Sequence, residues 1–377
     1  MANVPTYPGV YIEEFPADPR AINGVQTSIA AFVGPTPAGP TDVAMAVHSF
    51  AEFERTYGSL SLDRPVGVAV RDFFCNGGST ATIARATKNP GDVGWLDLLD
   101  TMDLFNLLCI PPLTLEGSLD TAAVGMAAAY CERRRAMLIL DPPSAWRDKA
   151  TAQIGMQSYI NLSPNAAVYF PRIKQPNPLR DGSIETSVSC GAIAGVIART
   201  DANRGVWKAP AGLDATLIGV ADLTVQLNDI ETGDLNSLGL NCLRSFPDIG
   251  TVVWGARTAQ GSDSLNSQWK YVPVRRLALF LEESVSRGTR WAVFEPNGQS
   301  VWSEIQRNVR AFLQRMFVMG ALAGSTPQEA YFVKCGADTM TQDDLDDGTL
   351  IIVIGFAPLQ PAEFVIIQIQ QMMNATS

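Results

Sequence analysis

The side chains able to do chemistry are few and poorly grouped. The chain of 377 residues holds one histidine, His48. A mechanism needing two imidazoles is therefore excluded, and a Ser-His-Asp triad would rest on this residue alone. His48 precedes Ser49-Phe50-Ala51-Glu52, whose hydroxyl-then-carboxylate spacing fits a helix capping box, so it reads as structural. Neither G-x-S-x-G nor G-x-G-x-x-G occurs, and Gly320-Ala321-Leu322-Ala323-Gly324-Ser325-Thr326 lacks the lysine and spacing of a phosphate loop. Asp141 stands where a strand would end, a place for a catalytic acid, but Leu140-Asp141-Pro142-Pro143 reads more simply as a turn. In the acidic run Asp343-Asp344-Leu345-Asp346-Asp347-Gly348, a calcium-loop register puts Leu345 and Ile354 where ligands belong, so it reads as a solvated loop. The six cysteines are scattered singly, with no C-x-x-C pair and no histidine nearby, a pattern of buried thiols in a reducing compartment rather than of zinc. The expectation is no catalytic residue, no cofactor and no metal.

Composition narrows the partners. With 28 basic and 38 acidic residues the net charge is −10, which argues against nucleic acid and against docking on anionic lipid. Met1–Val10 has neither the basic nor the apolar region of a signal peptide. Apolar runs near 316–324 and 350–358 are half the ~20 residues that cross a bilayer.

The elements that would position any site read as mixed α/β. Gln26–Val33 and Val43–His48 predict strands. Helices follow from Ser49 to Gly58 and over Pro65–Cys75, then a strand over Thr80–Thr87. Leu104–Ile110, Ala136–Leu140 and Ala166–Phe170 are strands separated by helices at Ser118–Arg135 and Ala145–Ser158, an order that implies a parallel sheet with right-handed crossovers. The strand ends carry Pro111, Pro112, Pro142, Pro143 and Pro171, and proline removes the N–H donors a phosphate needs. A small-residue helix is expected over Ser187–Arg199, a strand over Thr251–Gly255, a helix over Arg275–Arg287, a strand over Trp291–Phe294 and a long helix from Glu295 to about Leu322. Strands over Leu350–Gly355 and Glu363–Ile369 close the chain. On the long helix Trp302, Ile305, Val309, Phe312, Leu313 and Met316 fall in one arc, with Arg307, Arg310 and Gln314 opposite.

Both termini carry short apolar strands bounded by proline. Val10, Tyr11, Ile12, Glu13 and Phe15 lie between Pro8 and Pro16, and Phe364, Val365, Ile366, Ile367 and Ile369 follow Pro358 and Pro361, which read as a hinge. A lone strand cannot satisfy its own backbone. The tails either pair with each other within one copy or add to the sheets of neighbouring copies.

Ordered blocks of sequence resemble the contractile tail sheath proteins of bacteriophages. They are Tyr7-Pro8-Gly9-Val10-Tyr11-Ile12-Glu13-Glu14, Ala194–Asp201, Gly205-Val206-Trp207-Lys208-Ala209-Pro210-Ala211-Gly212, Val253–Thr258, Trp269–Leu277, Phe294-Glu295-Pro296-Asn297 and Gly355–Phe364. They are dense after Ala194 and sparse between Glu14 and that point. The resemblance implies a two-domain α/β (mixed α+β) subunit: an arm at 1–20, an α/β segment at 21–90, an outward-facing middle α/β domain at 91–250, a mixed tube-facing domain at 251–357 and an arm at 358–377. It implies a helical homo-oligomer of stacked hexameric rings around an inner tail tube protein, with baseplate and tail terminator proteins as further partners. It implies no nucleic acid, no membrane insertion, and a virion tail assembled in the host bacterial cytoplasm. The arms would exchange strands between copies, and Arg307, Arg310 and Gln314 would meet the tube. Tailocins and extracellular injection systems carry similar sheaths, and few outer decorating domains are expected in so short a chain. A cytoplasmic α/β enzyme is the distant alternative.

Overall fold

A computed structural model describes residues 20–61, 63–86 and 94–363. The main sheet has eight strands: β1 (Ala30–Gly34), β2 (Met45–Val47), β3 (Ala81–Arg85), β4 (Leu107–Cys109), β5 (Met137–Leu140), β6 (Ala166–Phe170), β10 (Leu240–Phe246) and β11 (Gly250–Val253). Between β6 and β10 the chain forms a separate small sheet from β7 (Ile173–Asn177), β8 (Ser183–Ser187) and β9 (Asp222–Leu223), and late in the chain β12 (Tyr331–Lys334) pairs with β13 (Val353–Phe356). The order across the main sheet is β11-β10-β6-β5-β4-β1-β3-β2, parallel from β10 to β3 and antiparallel at both edges.

The apolar strands are covered on both faces, as continuous hydrophobic runs require. Phe32, Met137 and Ile139 face one helical layer with Phe53, Val70, Phe73, Ile193 and Val196. Their neighbours Val33, Leu138 and Leu140 face the other, with Trp95, Val124, Tyr130, Met156 and Leu235. The helix Pro65–Cys75 has Pro at its start, where a missing N–H costs nothing. Ser49 caps Phe50–Tyr57 by accepting from the Glu52 N–H, while the Glu52 carboxylate accepts from the His48 N–H at 2.7 Å. The small-residue helix runs over Cys190–Arg204 and packs on Pro65–Cys75 so closely that a Cβ on Gly191 would lie 1.9 Å from the Ala69 carbonyl oxygen.

Three expectations are corrected. Trp291–Phe294 is not a strand: a 3-10 turn spans Arg290–Ala292, its amides bond back to residues three earlier, and Phe294 has φ +70°. With its amides used in these local turns, this segment stacks Trp291 under the Arg20 guanidinium at 4.2 Å. The acidic loop contains a short helix, Gln342–Asp346, because Thr341 and Asp344 form a capping box. The long helix is Gln299–Val318 and stops four residues early, where Gly320 turns left-handed at φ +74°. The sheet β8-β7-β9 escaped the sequence reading because β7 and β8 are polar and β9 has only two residues; Pro176 is tolerated in β7 since β9 pairs only with Ile173 and Lys174.

Contacts divide the chain into two compact units. One contains Val25–Glu282 and 358–363 with the main sheet; the other contains 20–24 and Glu283–Ala357 with β12 and β13. The segments Val10–Phe15 and Phe364–Ile369, expected to be strands, lie outside the described residues.

The glycine contact gives a paired stability prediction. Gly191→Ala drives a methyl into a backbone carbonyl and should destabilise by about 1–3 kcal/mol. Gly125→Ala, in the helix Thr121–Arg134 with nothing within 4 Å of the new Cβ, should stabilise by up to about 1 kcal/mol. Urea or thermal unfolding of the two variants measures both signs.

Candidate assembly site

The crevice beyond the carboxyl ends of the parallel strands is where α/β proteins bind ligands. Here the chain fills it. Asp141, directly after β5, accepts from the Ser189 N–H (2.6 Å), the Ser189 hydroxyl (2.8 Å) and the Cys190 N–H (2.9 Å). Its carboxylate thus occupies the start of the helix Cys190–Arg204, the position an anionic ligand would take. The buried Arg172 donates to the carbonyl oxygens of Pro142 (3.0 Å), Leu115 (2.6 Å) and Gly117. Burial lowers the pKa of its guanidinium, a cost partly offset by the charge of Asp141. His48 is exposed, with Nδ1 3.4 Å from the Thr80 hydroxyl. Among the described residues no group of three or more His, Cys, Asp or Glu is placed to hold a metal ion.

The second unit offers a different surface. All six residues of the predicted apolar arc on Gln299–Val318 are buried, joined by Val301 and Asn308. On the opposite side Arg307 is exposed and 3.7 Å from Glu304, an i,i+3 pair that water screens. Arg310 and Gln314 turn instead toward β12. The Arg310 guanidinium donates to the Val333 carbonyl at 3.3 Å, and the Gln314 side-chain oxygen accepts from the Tyr331 hydroxyl at 2.8 Å. Gln306, one turn before Arg310, donates to the Cys335 carbonyl at 2.6 Å.

These contacts mark an unpaired sheet edge. The Ala357 N–H donates to the Ala330 carbonyl at 2.8 Å just outside the β12–β13 ladder. Antiparallel alternation then makes 332/355 and 334/353 the hydrogen-bonded pairs. Tyr331 and Val333 on one strand, and Ile354 and Phe356 on the other, point their backbone groups outward. Among the described residues no third strand joins either edge. Along β12 a groove lined by Gln306, Arg310, Pro327, Gln328, Phe332 and Lys334 leaves room beside the edge, and the Phe332 side chain is half exposed. The sequence reading missed β12. Its signal was the alternation in Tyr331-Phe332-Val333-Lys334, in which only Val333 is buried.

Residues 20–24 are anchored in this same unit. Arg20 donates to Glu304 at 2.6 Å, lies 3.8 Å from Glu295 and stacks on Trp291. Ile22 is buried, its carbonyl accepts from Arg315, and it packs where a Cβ on Gly288 would sit.

Comparison with known proteins places this architecture. The phage tail sheath protein central domain matches residues 90–259, and the phage tail sheath C-terminal domain matches residues 264–372. A prophage major tail sheath protein of Pseudomonas aeruginosa is 26% identical over 76% of this chain and 70% of its own length. The tail sheath protein of Enterobacteria phage T4 is 24% identical over 46% of this chain, a match covering 25% of that protein. Among solved structures, the sheath complex of the extracellular contractile injection system PVC, in its contracted state, is 31% identical with a TM-score of 0.80, covering 98% of this chain and 99% of that one. The contracted helical sheath of the anti-feeding prophage is 33% identical with a TM-score of 0.76, covering 98% and 100%. A sheath tail protein from Listeria innocua, at 10% identity and a TM-score of 0.61, shares the fold. With a self-filled crevice, an open two-stranded sheet and likeness along nearly its whole length, the chain belongs to the contractile tail sheath protein family.

Proposed function

We propose that copies of this chain are joined by strand exchange at β12 and β13 into a helical sheath of stacked hexameric rings around an inner tail tube. Contraction of that sheath drives the tube through a cell envelope. The observation that carries the reading is the two-stranded sheet, which among the described residues has outward-pointing backbone on both edges; the strand-forming sequence of the two termini supplies candidates to pair with them. In this reading Val10–Phe15 and Phe364–Ile369 of neighbouring copies add to the sheet, and Arg310 and Gln306 stand in for the missing strand along the β12 edge. Contraction then becomes rotation of rigid subunits about hydrogen-bonded joints that persist. A heterologous contact that does not close on itself gives the helical polymer.

The unit with the long helix meets the tube through Arg307, and the unit with the parallel sheet faces outward. The sheath acts structurally, without catalysis, and has baseplate and tail terminator proteins at its ends. It assembles in the bacterial cytoplasm and neither binds nucleic acid nor inserts in a membrane. Sequence identity of 31–33% to injection-system sheaths, against 26% to the prophage protein, supports an extracellular contractile injection system as the parent particle.

Removing residues 1–19 should leave a folded subunit that forms no cylinders in negative stain; normal cylinders from the truncated chain would contradict strand exchange by that arm. Single charge reversals separate the two roles on the long helix. Arg307→Glu should weaken co-sedimentation with tube while contracted-type cylinders still form, since each exposed contact is worth only ~0–1 kcal/mol but repeats in every subunit. Arg310→Glu places a carboxylate beside the Val333 carbonyl and should impair polymerisation itself, read as loss of sedimentable cylinders without tube.

A further inference from the structure

Arg257 heads the fully buried large side chains among the described residues, with 1% of its surface exposed. Its main chain is held from both sides by buried Asn241: the side-chain oxygen accepts from the Arg257 N–H at 2.6 Å and the side-chain amide donates to the Arg257 carbonyl at 2.7 Å. The guanidinium Nη1 donates to the carbonyls of Asn236 (2.8 Å) and Gly261 (3.1 Å) and to Asp263 (2.9 Å). Nε and Nη2 form a two-pronged bond to Glu363, at 2.8 and 2.6 Å. The Tyr271 hydroxyl adds a third donor to that carboxylate at 3.2 Å, and Lys270 shares Asp263 at 2.7 Å. Burial alone would raise the Glu363 carboxyl, but the hydrogen bonds and charge of Arg257, with Lys270 and Tyr271, outweigh it and hold its pKa below the usual range.

A buried arginine needs a carboxylate, and Asp263, six positions away, already provides one. Glu363 comes from 106 positions away and is the residue directly before the apolar run Phe364–Ile369. The sequence suggested that Pro358 and Pro361 hinge this arm, yet the fork grips the chain beyond both prolines. We propose that the Arg257–Glu363 fork is the fixed root of the carboxyl-terminal arm, a positioning device that makes the arm pivot after Glu363 and keeps 358–363 with the main-sheet unit. This rests on the strand-exchange reading and adds to it where tension on the arm enters the subunit. Releasing the fork would add six residues to the free arm, a slack of about 20 Å when extended.

Two readouts test the proposal: the backbone amide order parameters of Gln360, Ala362 and Glu363 in the free subunit, and the spread of helical rise in assembled cylinders. Glu363→Gln keeps the shape and removes the charge. It should lower the order parameters of those amides from about 0.85 to below about 0.6, and broaden the rise distribution while cylinders still form. Tyr271→Phe leaves both charges and should shift both readouts the same way by less, which covers the case of a Glu363→Gln chain that fails to fold. Order parameters already below about 0.6 at these amides in the parent protein, or variant cylinders as uniform as the parent's, would overturn the fixed root. Cylinders formed by a chain lacking 364–377 would instead overturn strand exchange by this arm, whatever the fork does.

Discussion

Every backbone N–H and C=O taken from water must find a partner, and the two units meet that demand in opposite ways. The main sheet closes itself. The outer edge of β11 is taken by 215–217, with Leu217 N–H bonded to the Thr251 carbonyl and Val253 N–H to the Ala215 carbonyl. Its other edge is the three-residue β2, short enough to offer little template for another chain. Among the described residues the sheet of β12 and β13 is open at both edges, and two-stranded sheets are marginal by themselves. One unit is thus a finished body, and the other presents bonds still to be made.

The same contrast explains how a fold that elsewhere binds nucleotides comes to serve assembly. A parallel sheet with helices on both faces supplies a crevice by topology, whatever the protein does. Here Asp141 caps the helix that would hold a phosphate, and Arg172 is spent on three carbonyl oxygens. The resulting interior is rigid, and rigidity is what a subunit needs if it is to rotate as one piece. A second buried pair serves the same end: Arg276 grips Asp201 at 2.6 and 2.8 Å, with 4% and 3% of their side chains exposed, and also donates to the Thr27 carbonyl at 2.7 Å.

Sequence revealed what burial writes into a strand or a helix. The continuous runs at β4, β5 and β6 gave the parallel core, and the arc from Trp302 to Met316 gave the buried stripe of the long helix. It failed where pairing, rather than hydrophobicity, makes the element. Strands β7 and β8 are polar, β9 has two residues, and β12 has one buried side chain. Trp291–Phe294 looked like a strand because aromatic and β-branched residues suit one, but its tryptophan is used as a platform for Arg20. Of the candidate site, Arg307 was legible as an exposed charge, while the terminal runs expected to be strands lie outside the described residues. The turn of Arg310 and Gln314 toward β12 could not be foreseen while β12 was unseen. The link from Arg257 to Glu363 spans 106 positions and leaves no local pattern, although both residues fall in blocks that carried the family resemblance.

The central claim is that the open sheet of β12 and β13 is completed by other copies of the chain. Cryo-electron microscopy of cylinders assembled from the full-length protein tests it by tracing the strands beside Tyr331–Lys334 and Val353–Phe356. The account expects added strands belonging to neighbouring subunits, hydrogen-bonded to the outward groups of Ile354 and Phe356 or lying in the groove beside Val333. An ordered cylinder in which the sheet stays two-stranded, or is completed by the tail of the same copy, would contradict it.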